Sequence, residues 1–568
     1  MKKIVMTPRK KTENTTIIMM ERQKVEEEEK QESTTRYVAG GDHSGLVINK
    51  QAIQVEIPPV HLSLEFHVFL VNAQTGKHSQ ESRTLRFWFR DGESEPETAQ
   101  AFFTELVSPQ DFPRDYVGFI KKIMKMMQRK FETIMRVEVE LRTIATSDEP
   151  LHQNDVSFED GIGAPVELSE AKVLEIIESS YPNIITRDEI AEQTKHSAED
   201  VKPWLEQLKE KGVIRETTEG EGKVGYTRVT QDDTALHVVK QMPTIHSNAQ
   251  PTIAIITANY CEKLAMDSMI LNKTTYVRYT TIGESNVYTL GNVGAHRVVC
   301  TKLPSVGFTR GATIAAGSST TRLLGTFQQV EYVILCGVGG GVPHYTDGLL
   351  HVRLGDIVCS ASAAEGSPVY WYCEPVLERR NSEEAEKEIS FQSRGWKPVS
   401  FILQDMAAQF KEQFESTGEA PWLTYMEEGG RELEDAEGSK FERPPFETDR
   451  LFMPIGRGDL IQVQHPALPD AKYEEQPRIH LGPVGSGREV SLKRGDLAAS
   501  LNLRAWDSPF DSVIESILGN RKDAFIAVRG IADYRDGSRG KDWQPYAALA
   551  AAAFTKALIC ALPPITPT

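Results

Sequence analysis

Residues 332–360 read YVILCGVGGGVPHYTDGLLHVRLGDIVCS, and residues 524–544 read AFIAVRGIADYRDGSRGKDWQ. Each begins as a continuous apolar run, the pattern of a parallel strand covered on both faces. The first run empties into Gly337-Val338-Gly339-Gly340-Gly341, and the second leads through Arg529 to Asp533. Open α/β sheets place ligands at the carboxyl ends of such strands. A glycine-rich end and a carboxylate-bearing end therefore predict a small-molecule site. A dinucleotide phosphate loop does not fit the glycines: Pro343 follows them, and no helix start with an acid-tipped second strand is evident.

Working outward, Gly355-Asp356-Ile357-Val358 follows the glycine-rich turn, and Arg529-Gly530-Ile531-Ala532-Asp533 lies toward the C-terminal end. Both segments, in this order and spacing, resemble the nucleoside phosphorylase and nucleosidase superfamily, and the resemblance covers roughly residues 251–563. It implies a three-layer α/β domain around a central mixed sheet over residues 251–568. It further implies cleavage of the N-glycosidic bond of a purine nucleoside, with no cofactor and no metal, by a homo-oligomer.

Such cleavage passes through a ribosyl oxocarbenium-like state. The leaving purine takes a proton, the sugar hydroxyls need an acceptor, and water or phosphate attacks. Asp533 ends a buried strand, where partial burial raises a carboxyl pKa toward the working range. The resemblance makes it the acid that protonates the purine; the plain structural alternative is a helix N-cap aspartate, a role for which Asp536 is the better fit. Glu262, in Ala258-Asn259-Tyr260-Cys261-Glu262, resembles the Ala-x-x-x-Glu of nucleosidases that cleave methylthioadenosine and adenosylhomocysteine. It is the implied base for water, against the alternative of a first-turn acid favoured by the helix dipole. Phe510-Asp511 stands where the family has Met-Glu, so Asp511 is the implied ribose ligand, one methylene shorter. Gly337, Val338 and Gly339 are the implied turn against the substrate. Val490 and Ser491, in a Ser486-Gly487-Arg488-Glu489-Val490 segment similar to the family's Ser-Gly-x-x-(Phe/Val), would face the base. Phosphorylases carry an arginine just before the glycine turn and a hydroxyl within it. Here Leu335, Cys336 and Val338 occupy those places, which favours water over phosphate because arginine is the preferred bidentate phosphate partner. Arg310 or Arg322 could supply that charge from elsewhere. Hydrolysis, phosphorolysis and purine sensing without turnover all remain open readings.

Length and charge frame the rest. A chain of 568 residues holds several domains. Its net charge of −17 argues against a general nucleic-acid binder, which must neutralise phosphates. Six cysteines without a CxxC pair make a zinc site improbable. The start of the chain has no apolar stretch of signal-peptide length, and Lys556 interrupts the alanine-rich run 546–562. The expectation is a cytoplasmic protein, or a nuclear one, away from membranes. Residues 1–50, charge-rich with an acidic run at 26–29, read as a disordered arm. Residues 51–148 read as a small α+β domain with Met124, Met126 and Met127 in its core. Residues 165–230 read as a winged helix, with Thr186 and Ser197 as helix caps. Its third helix mixes Glu199, Asp200, Glu206 and Glu210 with Lys202, Lys209 and Lys211, so a protein partner suits it better than DNA. The acidic stretch 416–450 reads as a solvated surface loop.

Overall fold

The computed structural model describes the chain apart from residues 1–2, 13, 24–35, 39–45, 50–57, 72–77, 91–93, 109–110, 114–115, 145–167, 220–222, 230–235, 240–241, 244, 246–249, 279–285, 305–309, 377–389, 456–459, 469–475, 489, 491–492, 539–540 and 565–568. The chain divides into two units. One comprises Met1–Asp160, Pro343–His351 and Phe446–Ala471; the other comprises Gly161–Val342, Val352–Pro445 and Lys472–Thr568.

The first unit is a nine-stranded sheet in the order Leu451–Pro454, Leu460–Val463, Leu62–Val71, His78–Phe89, Ile134–Ile144, Thr15–Gln23, Lys3–Lys11, Leu46–Asn49 and Arg36–Val38. Helices Glu95–Leu106 and Tyr116–Arg129 bring Phe102, Phe103, Phe119, Met124, Met126 and Met127 into its core. The expected disordered arm over residues 1–50 is corrected for its described residues, while its acidic run at 26–29 lies outside them. Lys3–Lys11 and Thr15–Gln23 form a hairpin whose second strand pairs with Ile134–Ile144. Ile4, Val5, Ile18, Met19 and Met20 are buried, so the hairpin adds apolar side chains to the core of the unit.

The second unit opens with the winged helix. Helices Glu170–Ser180, Arg187–Thr194 and Ala198–Glu210 precede the wing strands Ile214–Glu219 and Lys223–Arg228. Thr186 and Ser197 each close a reciprocal capping box, with Glu189 and with Asp200. Val173, Ile177, Ile190, Val201, Leu205 and Leu208 form a small closed core.

Behind it lies a mixed α/β fold around a central mixed sheet. Ile253–Thr257 runs parallel to His296–Lys302 on one side and to Tyr332–Gly341 on the other. Tyr332–Gly341 in turn runs parallel to Ala524–Asp533. Ile357–Ser360 then pairs antiparallel to Ala524–Asp533 and parallel to Ile479–Gly482. All ten residues of Ala524–Asp533 are buried, as the apolar run predicts. Helix Gln544–Ala561 lies on this strand so closely that a Cβ on Gly530 would stand 1.8 Å from the Ala547 carbonyl oxygen. Glycine on the strand and alanines on the helix permit that approach.

Residues 416–450 do not form a solvated loop. Pro421–Glu437 is a helix whose Trp422, Met426 and Leu433 are buried. Trp422 stands edge-on to Phe414 and Phe554, with ring centroids 5.3 and 5.5 Å away. Glu427, Glu428, Glu432 and Glu434 are exposed on the same helix, and their number hid the apolar stripe. Among the described residues no helix is long and apolar enough to cross a membrane.

Candidate active site

The parallel register sets the site. Gly337 lies opposite Arg529, and after a register shift Gly340 lies opposite Asp533. The two stretches that opened the sequence reading therefore end side by side.

Glu262 reaches the same place from a third segment. It is the third residue of helix Tyr260–Asp267, just beyond strand Ile253–Thr257, and it forms a capping box with Asn259. Its Oε2 accepts the Ala258 and Asn259 amides at 2.6 and 3.1 Å, while Oε1 accepts the Val338 amide at 2.8 Å. Gly337 makes room for it: a Cβ there would come within 2.4 Å of Oε1. One carboxylate thus starts a helix and pins that helix to the glycine strand.

Arg529 joins the group from the neighbouring strand. Its Nε donates to Asp507 Oδ2 at 2.7 Å and its Nη1 to the Leu335 carbonyl at 3.0 Å. The guanidinium lies 4.6 Å from the centre of the Phe510 ring. Nη2 is buried, with no hydrogen-bond partner among the described residues. Tyr370 braces the far side, donating to the Ser508 carbonyl at 2.9 Å and accepting from the Phe510 amide at 3.2 Å.

The charges decide the chemistry available. Burial favours the neutral form of both carboxyls. It pushes Asp507 up to about 7 against the pull of Arg529. It raises Glu262 as well, against Arg529 and the three backbone donors. Burial also opposes the Arg529 charge, but Asp507, Glu262 and Tyr370 overcome it and hold the guanidinium above its ordinary value. One buried cation thus serves two buried carboxylates. Of the two, Asp507, at about 7, is able to hold a proton near neutrality.

Asp533 is buried, and its Oδ1 accepts the amides of Arg535, Asp536 and Gly537 at 2.8, 3.0 and 2.9 Å. The resulting turn folds onto the glycine strand, where a Cβ on Gly340 would fall 2.2 Å from the Arg535 carbonyl carbon. Asp533 thus caps a turn, not a helix as the structural alternative had it; the next helix begins later, at Gln544.

The other sequence-predicted residues are placed as follows. Phe510 belongs to the cluster through Arg529. Asp511 opens helix Asp511–Gly519 and is half-buried; Tyr372, Glu515 and Arg394 are its charged or titratable neighbours. Val490 is buried with Cys373, Ala498, Leu503 and Trp506 in a separate apolar cluster, and Ser491 lies outside the described residues. Arg310 and Arg322 lie on helix Arg310–Thr326, where Arg310 is exposed. Among the described residues no group of three or more His, Cys, Asp or Glu side chains is placed to hold a metal ion.

Sequence reasoning missed Arg529 and Asp507 as site residues. The signal was present, since an arginine inside the run Phe-Ile-Ala-Val-Arg-Gly-Ile must be paired with a buried acid. Asp356, in the Gly-Asp-Ile-Val motif, is structural. It accepts the Arg353 and Arg478 amides, each at 3.0 Å, along with Arg478 Nη2 at 3.1 Å and His480 Nε2 at 2.8 Å. Burial alone would raise its pKa, but Arg478 and His480 hold it well below the usual carboxylate range.

Comparison with known proteins gives three kinds of result. Residues 159–224 match the winged helix-turn-helix domain family. A nucleotide-binding leucine-rich repeat (NLR)-like protein of Hyaloscypha variabilis is 28% identical over 287 residues, which is 50% of this chain and 26% of that protein. The chain thus spans about a quarter of the length of the curated relative it matches. Among solved structures, it is similar to the 5'-methylthioadenosine/S-adenosyl homocysteine nucleosidase of Helicobacter pylori (13% identity, 55% of this chain, 98% of that one, TM-score 0.31). It is also similar to futalosine hydrolase of the same organism (13% identity, 56% and 100%, TM-score 0.32). A uridine phosphorylase of the oomycete Phytophthora capsici is similar at 9% identity over 56% of this chain and 93% of that one, with a TM-score of 0.33.

Proposed function

We propose that this chain cleaves the N-glycosidic bond of a purine nucleoside, with water as the attacking group. The observation that carries the reading is the buried trio of Glu262, Arg529 and Asp507, set beside the glycine strand that Asp533 adjoins. In this mechanism Arg529 orients the water through Nη2, and Glu262 takes its proton as the carbon–oxygen bond forms at the sugar. Asp533 passes a proton to the purine as the carbon–nitrogen bond breaks. Loss of a positioned acid or base of this kind costs about 10²–10⁴ in rate.

The test is to incubate the full chain with methylthioadenosine, adenosylhomocysteine, adenosine and inosine, with and without phosphate. Free base with free sugar is expected, independent of phosphate. Asp533→Asn and Glu262→Gln should each lose base release by about 10²–10⁴; Asp533→Asn keeps the oxygen that accepts the three turn amides and should retain the wild-type melting profile, whereas Glu262→Gln puts a donor where an accepting oxygen stood and should also melt lower. Release of ribose 1-phosphate would replace hydrolysis by phosphorolysis. Wild-type rates in both variants would remove the assigned roles.

A second reading, purine sensing without turnover, is favoured by one observation. Three backbone amides already occupy the Glu262 oxygens, and the turn after Asp533 closes over the glycine strand. Nucleoside binding that raises thermal stability without base release would select it.

A further inference from the structure

Among the described residues the winged helix meets segments that follow or end a parallel strand of the candidate site at three points, and Tyr181 also shares an apolar cluster with Val277 and Val287 of the neighbouring strands. The first is Lys302, the last residue of His296–Lys302, opposite Thr257 at the end of the next strand. Its Nζ is buried and donates to the carbonyls of Ser179 and Tyr181, at the end of the first winged-helix helix, at 2.9 and 3.0 Å. It also donates to the Leu303 carbonyl at 3.2 Å. A cation placed on the last carbonyls of a helix meets the negative end of its dipole.

The second point is Tyr260, the first residue of the helix that carries Glu262. The Tyr181 ring stands edge-on to it at 5.3 Å between centroids, and the Arg228 guanidinium lies 5.4 Å from its ring centre. Arg228 is held in turn by Glu178, at 3.0 Å. The third point is Lys541, in the segment between Asp533 and helix Gln544–Ala561. Its Nζ pairs with Glu175 of the same winged-helix helix at 2.8 Å. Burial pushes the Lys302 ammonium down to about 8, against the pull of Glu262 in the site and Glu178 in the winged helix. Lys302 therefore feels both partners of the contact.

We propose that the winged helix is a gate on the candidate site, docked across the carboxyl ends of the strands that lead to Glu262 and Asp533, and that substrate enters when it lets go. This rests on the nucleosidase reading above and specifies how that site is controlled. The geometry explains why a winged helix stands before a metabolic fold without a basic reading helix. Its first helix is used inward, as a latch.

Two variants of the full chain test the gate. Lys302→Met keeps the stem and deletes the ammonium. Glu175→Lys, at the surface, turns the Lys541 pair into a repulsion and serves where Lys302→Met fails to fold. The expected result has two parts. Amide hydrogen exchange should accelerate in 174–182 and in 259–267. KM for the cleaved purine nucleoside, or Kd where one is bound without turnover, should fall at least about fivefold, the lower end of ordinary site-to-site coupling. A wild type that cleaves or binds a purine nucleoside, with both variants unchanged or weakened, overturns the gate and leaves the nucleosidase reading standing. No cleavage and no binding by the wild type and by both variants overturns the nucleosidase reading, and the gate with it.

Discussion

At the residue scale, the arrangement turns on one arginine shared by two acids. Asp507 is a carboxyl whose folded pKa, about 7, lies above its ordinary 3.8. A group raised in this way contributes stability that is full below 3.8 and is lost as pH rises through about 7. An asparagine in its place cannot titrate. The melting temperature of wild type minus that of Asp507→Asn should therefore fall steadily across that window and flatten above it. A difference that stays constant with pH would show that Asp507 is ionised throughout. The same residues mark the limit of what was legible. Asp533 and Glu262 were visible as acids just past apolar runs. Asp507 follows Ala505-Trp506, too short a run to declare a strand, and its partner sits 22 residues away. Pairing across strands is a tertiary fact that local pattern does not carry.

At the scale of elements, the winged helix shows what its charges are for. Lys202 pairs with Glu206, Lys209 with Glu216, Lys211 with Glu170, and Arg187 with Glu199. Each cation of the third helix thus has an acid beside it, and none is left unpaired for a phosphate. In a gel shift at physiological salt, the full chain should form no submicromolar complex with duplex DNA; a tight, salt-sensitive complex would refute this. The caps that bound these helices were readable, because Ser, Thr and Asn at a helix start declare themselves in three or four residues. Lys3–Lys11 was not readable. Its sequence KIVMTPRKK carries four basic residues and a proline, and only pairing with Thr15–Gln23 and Leu46–Asn49 makes it a strand. Helix Pro421–Glu437 was hidden likewise, since its buried Trp422, Met426 and Leu433 are outnumbered by the acids around them.

At the scale of the whole molecule, order along the chain and membership in a unit part company. Pro343–His351 follows the glycine strand directly yet belongs with the first unit, where Tyr345 meets Phe103 at 5.3 Å and its amide donates to Gln100 at 2.7 Å. Phe446–Ala471 does the same and lays Leu460–Val463 against Leu62–Val71. The two units are therefore not cassettes that recombination could exchange at a single junction. A gene fragment encoding residues 251–568 alone would carry away two strands of a sheet it does not contain. Their unpaired amides and carbonyls would form a ready edge for self-association. Such a fragment should aggregate on expression, while one that also replaces 343–351 and 446–471 with short linkers should stay dispersed in size-exclusion chromatography. Any natural shuffling of this protein had to move three stretches of coding sequence together or none.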